Sequence, residues 1–237
     1  MILLAVETSA GPASCAVVRD GQILSSSYVN TRQTHSQTLM PMVKQALELA
    51  GLTARELDGV AVAAGPGSFT GVRIGVAAVK GLAFPDDRPC VGVSTLAAMA
   101  ENFRGLPGAF TVCAVMDARC QQVYTACFAV TDGVIARLTP DEALPMAEVA
   151  SRLSALSGPI VLVGDGAALC YAAWSGTLPA LRMAPPALRY PTAVGVAAAA
   201  EPLFARGETV RAAALLPLYL RLPQAERELK ARRAQES

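Results

Sequence analysis

A single histidine, His35, stands in the 237 residues of this chain. One imidazole excludes every metal centre in which two or more histidines of the same chain share the ion. The six cysteines supply no substitute, since no two are spaced C-x-x-C. Charge is sparse: 16% of residues are charged and the net charge is +1, which argues against autonomous binding to nucleic acid. Long apolar runs are missing too. Lys80 interrupts one and Glu201 with Pro202 another, so none approaches the roughly 18 residues of a membrane-crossing helix. Met1–Glu7 lacks the basic start and the length of a secretory signal. The expectation is a cytoplasmic protein with reduced thiols and no membrane partner. Cys113, Cys120 and Cys127 fall at even spacing in an expected hairpin and read as small core residues.

What is present is apolar and ordered. Hydrophobic residues make up 53% of the chain, enough for one large domain or two smaller ones with a substantial core. β-Rich runs at Ile2–Val6, Cys15–Val18 and Ile23–Val29 flank the hairpin signal Asp20-Gly21. A helix over about 36–50 ends at Gly51, and Val60–Ala63, a helix over Gly71–Ala83, Pro89–Val93 and a helix over Thr95–Phe103 capped by Ser94 follow. Arg104-Gly-Leu-Pro-Gly108 marks a boundary. Beyond it the order begins again: strands at Thr111–Met116 and Gln122–Val130, a third opened by Asp132-Gly133, then a helix over Pro145–Leu156. Ile160–Val163, a short helix over Ala167–Trp174, Leu181–Ala184 and a helix over Thr192–Arg206 complete it. Two βββαβαβα runs imply a duplicated α/β architecture. The expected division is 1–105, completed by a helix within about 190–220, a smaller unit over 106–189, and a charged tail over 222–237. In that tail alternating acids and bases read as a solvated helix, although Arg227, Lys230, Arg232 and Arg233 could touch RNA phosphates.

The most distinctive stretch is Gly65-Pro-Gly-Ser-Phe-Thr-Gly-Val-Arg-Ile-Gly75, between a strand and a helix. It satisfies neither G-x-x-x-x-G-K-[ST] nor G-x-G-x-x-G, and Pro66 removes an amide that a phosphate cradle would use. A sharp strand-to-helix turn is the simpler reading. Val72, Val76, Val79 and Ala83 form one apolar face of the helix after it, and Ile74, Ala78 and Leu82 a second. Gly71 and Gly75 add a smooth strip that reads as room for another backbone, making the loop a joint for assembly. On the preceding helix Leu39, Val43, Ala46 and Ala50 fit a core stripe, to which Met40, Met42 and Leu49 are surplus; Pro41 either starts this helix or kinks it.

These stretches resemble one family within the actin-like ATPase fold. The resemblance rests on Val6-Glu-Thr-Ser9, His35-Ser36 with Leu39 and Pro41, Gly65–Gly75 with the helix after it, Gly92-Val-Ser-Thr-Leu96, Asp117-Ala-Arg119 with Val123-Tyr124, and Pro217-Leu-Tyr-Leu-Arg221. It is to the TsaB (YeaZ) family, over residues 1 to about 221. The resemblance implies a non-catalytic subunit without cofactor, which pairs with a TsaD-like paralogue and a TsaE-like P-loop ATPase. Together they make threonylcarbamoyladenosine beside the tRNA anticodon, with tRNA held mainly through the complex and a homodimer as a further possibility when the chain is alone. It also implies a partner interface on the two helices, assigned to His35, Leu39, Met40, Met42, Phe69, Arg73, Ile74, Ala77, Ala78 and Lys80. Glu7, Thr8 and Ser9 are candidates for a vestigial phosphate loop. The competing readings are a free-standing phosphotransferase, with Val163-Gly-Asp-Gly166 as second phosphate loop, and a hydrolase recruiting Ser9, Ser36 or Ser68 with His35. Asp117 and Asp165 are conceivable general bases.

Overall fold

At Asp20-Gly21 both residues adopt positive φ, 48° and 77°, the conformation a two-residue hairpin turn requires. It joins β2 (Ala13–Arg19) to β3 (Gln22–Val29), and β2 also pairs antiparallel with β1 (Ile2–Glu7). The computed structural model describes residues 1–31 and 33–221. After β3 come α1 (His35–Leu49), β4 (Gly59–Gly65), α2 (Phe69–Ala83), β5 (Cys90–Ser94) and α3 (Thr95–Ala100). The first sheet has the order β3-β2-β1-β4-β5, with β4 parallel to both β1 and β5.

The second half repeats this plan. β6 (Ala109–Asp117), β7 (Gln122–Thr131) and β8 (Val134–Arg137) form an antiparallel meander, and β9 (Glu142–Pro145) also pairs with β7. α4 (Met146–Ser154), β10 (Ile160–Val163), α5 (Ala167–Trp174), β11 (Leu181–Met183), α6 (Pro186–Arg189) and α7 (Ala193–Ala205) follow. The sheet order is β11-β10-β6-β7-β8, which is the first order again when each half is counted from its own first strand. β9 and the four-residue α6 are additions that the sequence pattern does not signal. The helix expected from Pro145 starts at Met146 because Pro145 closes β9.

The layers follow from which faces are apolar. β1 and β4 are buried on both faces, as central strands covered on two sides must be. On one face, Leu4, Val6, Val60 and Val62 pack with Leu39 and Val43 of α1 and Val72, Val76 and Val79 of α2. On the other, Ala5, Ala61 and Ala63 meet Ala98 of α3 and Val196, Ala197 and Ala200 of α7. Leu96 and Met99 of α3 then pack against Val112, Ala114 and Ala126 of the second sheet. The far face of that sheet is covered by α4 and α5, through Val149, Leu153, Cys170 and Trp174.

Local signals explain the helix ends. Ser94 and Ser68 accept the amides of Ala97 and Gly71 at 3.1 Å and 3.3 Å, so Ser68 starts α2 two residues ahead of the expected Gly71. Gly51, at φ 66°, closes α1 with Gly51 N–Glu48 O and Leu52 N–Leu47 O bonds of 3.1 Å and 3.0 Å, a Schellman ending. Pro41 lies inside α1 rather than at its start. Among the described residues no helix is long and apolar enough to cross a membrane.

Candidate functional site

The glycine loop and the Glu7-Thr8-Ser9 turn are packed against each other. The Ser68 amide donates to the Ser9 carbonyl at 2.7 Å, and the Thr8 hydroxyl to the Gly71 carbonyl at 2.8 Å. A Cβ at Gly67 would strike the Ser9 carbonyl oxygen, one at Gly71 the Thr8 carbonyl oxygen, and one at Gly75 the Thr8 hydroxyl. These glycines are therefore spent on close approach inside the chain, and the expectation that they form an outward smooth strip is corrected. Gly65 has φ 126°, and the Leu218 carbonyl sits where its Cβ would be, so glycine is required there on both counts.

Glu7, Thr8 and Ser9 are all fully buried. Glu7 Oε1 accepts from the Ser9 amide and from the Ser9 hydroxyl at 2.6 Å, while Oε2 has no partner. Burial pushes the Glu7 carboxyl up to about 7, against the Ser9 hydrogen bonds that lower it. Three residues proposed as a phosphate loop thus turn their polar groups inward, where α2 already fills the space.

A cleft of about 300 Å³ opens at the carboxyl ends of β4, β6 and β10, lined by Gly67–Phe69, Asp117–Arg119, Asp165 and Leu218–Arg221. This is where ligands of open α/β sheets commonly lie. Asp165 accepts the Asp117 amide at 3.1 Å, and Asp117 accepts the Arg119 amide at 2.8 Å. Asp165 is exposed at the cleft, yet the packing around its carboxyl, reinforced by the charge of Asp117, raises it above the ordinary range. Two carboxyl groups on one floor oppose a phosphate chain. Among the described residues no three His, Cys, Asp or Glu cluster as metal ligands would.

The segment 210–221 runs as a strap from the amino end of β5, at Cys90, to the cleft end of β4, at Ala64. Val210 exchanges two backbone bonds with Cys90, and the Leu218 amide donates to the Ala64 carbonyl at 2.7 Å. Tyr219 stacks on Phe69 with centroids 4.5 Å apart and accepts from Arg73 Nε at 2.8 Å, while the Arg73 guanidinium lies 3.9 Å above the Phe69 ring. Lys80 donates to the carbonyls of Ala213 and Leu215 at 3.1 Å and 3.2 Å, and Arg221 donates to the Ala118 carbonyl. The strap therefore ties α2 to the β6–β7 turn. Sequence reasoning singled out its Pro217–Arg221 motif without assigning it this role.

Apart from His35, the interface candidates fall into three groups. Leu39 and Met42 lie in the chain's own core, which corrects their assignment to a partner surface; the buried stripe is 39, 42, 43, 46 and 47, wider than the four positions expected. Phe69, Arg73 and Lys80 hold the strap. Ile74 and Ala78 are half-buried, and Ala77 and Met40 exposed. The outer face of α1 also exposes Leu49 and Pro41, among polar residues that include a Lys44–Glu48 ion pair at 3.8 Å. On α2 the outer face runs Thr70, Arg73, Ala77, Gly81 and is followed by Phe84, which is 75% exposed. Its charges are Arg73, engaged by Phe69 and Tyr219, and the half-buried Lys80 seven residues on, engaged by the strap carbonyls.

His35 begins α1, and its Nε2 lies 2.9 Å from the Ala10 carbonyl. The Ser9 hydroxyl is committed to Glu7, Ser68 to Gly71, and Ser36 lies 3.3 Å from the Thr34 hydroxyl, so no serine–histidine pair assembles. Cys113 and Cys127 are buried as expected, but Cys120 is exposed. It occupies the tight turn Arg119–Gln121, whose three residues all have positive φ, and a turn of that shape leaves the side chain outside. Arg227, Lys230, Arg232 and Arg233, the candidate RNA contacts, lie outside the described residues.

Fold and cleft together define a duplicated α/β protein of the actin-like ATPase fold. The activator of 2-hydroxyisocaproyl-CoA dehydratase from Clostridium difficile shares the fold alone, with a TM-score of 0.50 at 12% identity, covering 88% of this chain and 96% of that one. YeaZ from Pseudomonas aeruginosa superposes with a TM-score of 0.73 at 32% identity, covering 92% of this chain and 99% of that one. In sequence, the tRNA threonylcarbamoyladenosine biosynthesis protein TsaB of Escherichia coli is 34% identical over 93% of this chain and 95% of its own length. The family model described as TsaD, tRNA N6-adenosine threonylcarbamoyltransferase, matches residues 23–228. The chain belongs to the TsaB/YeaZ family, within this wider TsaD-related group.

Proposed function

We propose that this chain takes part in forming threonylcarbamoyladenosine in tRNA as a non-reacting partner subunit, docking a TsaD-like paralogue against the outer face of α2. The observation that carries the reading is that face: Ala77 exposed, Ile74 and Ala78 half-buried, and along fifteen residues no charge but Arg73 and Lys80, both already engaged by the strap. A helix low in charge on its solvent side fits a site that a second protein covers. Two residues that could react are committed to structural bonds, His35 to Ala10 and Ser9 to Glu7, and Asp165 holds the Asp117 amide through one oxygen. A TsaE-like ATPase and tRNA complete the assembly in this reading, and the chain's scarcity of net charge agrees with tRNA being gripped elsewhere.

Reconstitution with the paralogue, the ATPase, ATP and tRNA tests it. Removing a general acid or base costs about 10²–10⁴ in rate, so His35→Gln and Asp165→Asn are expected to stay within about twofold of the parent chain. Ala77→Glu is expected to lower product formation strongly. A loss of about 100-fold in either of the first two variants, with folding intact, would place a reacting group in this chain and overturn the proposal.

A further inference from the structure

Away from the cleft, the second sheet sets two thiols directly opposite one another. Cys113 on β6 and Cys127 on β7 are register partners. The Cys127 amide donates to the Thr139 hydroxyl at 2.9 Å, and its carbonyl accepts from the Leu138 amide at 2.8 Å. The Cys127 backbone is therefore turned away from β6, and the pair occupies a non-hydrogen-bonded site of the ladder. Facing Cα atoms at such sites lie about 4.5 Å apart, within the roughly 4.4–6.8 Å that disulfides span. Both side chains enter the same core, beneath α4 and α5.

Access is one-sided. Cys113 is fully buried, but Cys127 forms part of the wall of a pocket of about 80 Å³ between β7, β9 and α4, with Thr139, Glu142 and Arg152 also lining it. That space accommodates a molecule of about the size of water or peroxide. The neighbouring Cys113 thiol, the Thr139 hydroxyl and the Arg152 charge hold the Cys127 thiol below its ordinary range despite burial. Its partner is pushed well above that range by Cys127 and by burial. Because Cys127 alone of the two lines the pocket, it is the attacking sulfur and the enclosed Cys113 the resolving one.

We propose that Cys113 and Cys127 form a dithiol which a hydroperoxide oxidises to a cross-strand disulfide within the native fold. The Cys127 thiolate attacks a peroxide oxygen, forming S–O as O–O breaks. The departing oxygen takes the proton that Cys127 released and leaves as water, or as an alcohol from an organic peroxide. The Cys113 sulfur then displaces the sulfenic oxygen: S–S forms, S–O breaks, and the oxygen leaves as water with the Cys113 proton. Two thiols lose two electrons in all and one peroxide gains them. Exchange with a dithiol reductant restores the pair. Closure would fasten β6 to β7 at the centre of the second sheet. Cys170 shares this core but lies on α5, outside the ladder.

The test uses the full chain carrying Cys120→Ser, which removes the exposed thiol and with it cross-linking between molecules. After treatment with hydrogen peroxide the protein is denatured, alkylated, digested and mapped by mass spectrometry. The expected product joins the Cys113 and Cys127 peptides with loss of two hydrogens, is reopened by dithiothreitol, and leaves Cys170 alkylated. In a Cys113→Ala companion, Cys127 is expected to accumulate as sulfenic or sulfinic acid. Recovery of both cysteines as free thiols, at peroxide doses that oxidise Cys120 in the unsubstituted chain, overturns the proposal. So does a bond from Cys127 to Cys170.

Discussion

Glu7 shows how a residue's chemistry is set by what surrounds it. Its carboxyl is fully buried with Oε2 unpartnered, and burial moves it from the ordinary 4.5 to about 7. Between those values the folded chain holds a proton that the unfolded chain has released, so stability falls as pH rises through the window and levels off above it. The loss amounts to about 3 kcal/mol at about 1.4 kcal/mol per unit. Denaturant unfolding as a function of pH is expected to show this fall in the parent chain and to lack it in Glu7→Gln; identical profiles would refute the assignment. Gly71 gives a second prediction at this scale. A methyl group there meets the Thr8 carbonyl, and Gly71→Ala is expected to cost about 1–3 kcal/mol, read as a lower Tm. Sequence made the triplet Glu7-Thr8-Ser9 and the glycines conspicuous, but not their use. Both features resemble half of a ligand site until the fold brings them together, and then each is the other's occupant.

Helices and strands follow closely from local chemistry where that chemistry is strong. Asp20-Gly21, Ser94 and Gly51 act within a few residues, so turns and caps could be read directly from them. β9 could not, because Glu142–Pro145 is a short strand ended by proline and made by pairing with β7. The strap 210–221 carries no periodicity at all. Its place is decided by single long-range contacts: Cys90 with Val210, Ala64 with Leu218, Phe69 and Arg73 with Tyr219. Tyr219→Ala removes the ring stack and the Arg73 bond together. Hydrogen exchange at the Leu218 amide is expected to accelerate at least tenfold, with the core strands β1 and β4 unchanged. Unaltered exchange would mean that the strap is held without this cluster. On α1 and α2 the pattern of apolar residues located the inner faces well. It overstated the outer ones, since Met42, Gly71 and Gly75 proved to point inward.

For the whole molecule, duplication was legible because two runs of elements in the same order must form two sheets of the same order, given right-handed parallel crossovers. The cleft was not legible, since its walls come from β4, β6, β10 and the strap, four segments far apart in the chain. With α2 as the working surface, the cleft and its two carboxyl groups have no nucleotide to hold. Calorimetry of the purified chain with ATP and magnesium is expected to show no micromolar binding; such binding without partners would favour the phosphotransferase reading. The most direct measurement of the central proposal is the affinity of this chain for its TsaD-like paralogue, determined by titration of the pure proteins. A charge buried unpaired at a contact costs about 2–5 kcal/mol, so Ala77→Glu is expected to weaken binding by about 30-fold or more. Leu169→Glu, on the outer layer over the second sheet, should leave it unchanged. Equal affinity for Ala77→Glu and the parent chain would contradict the account.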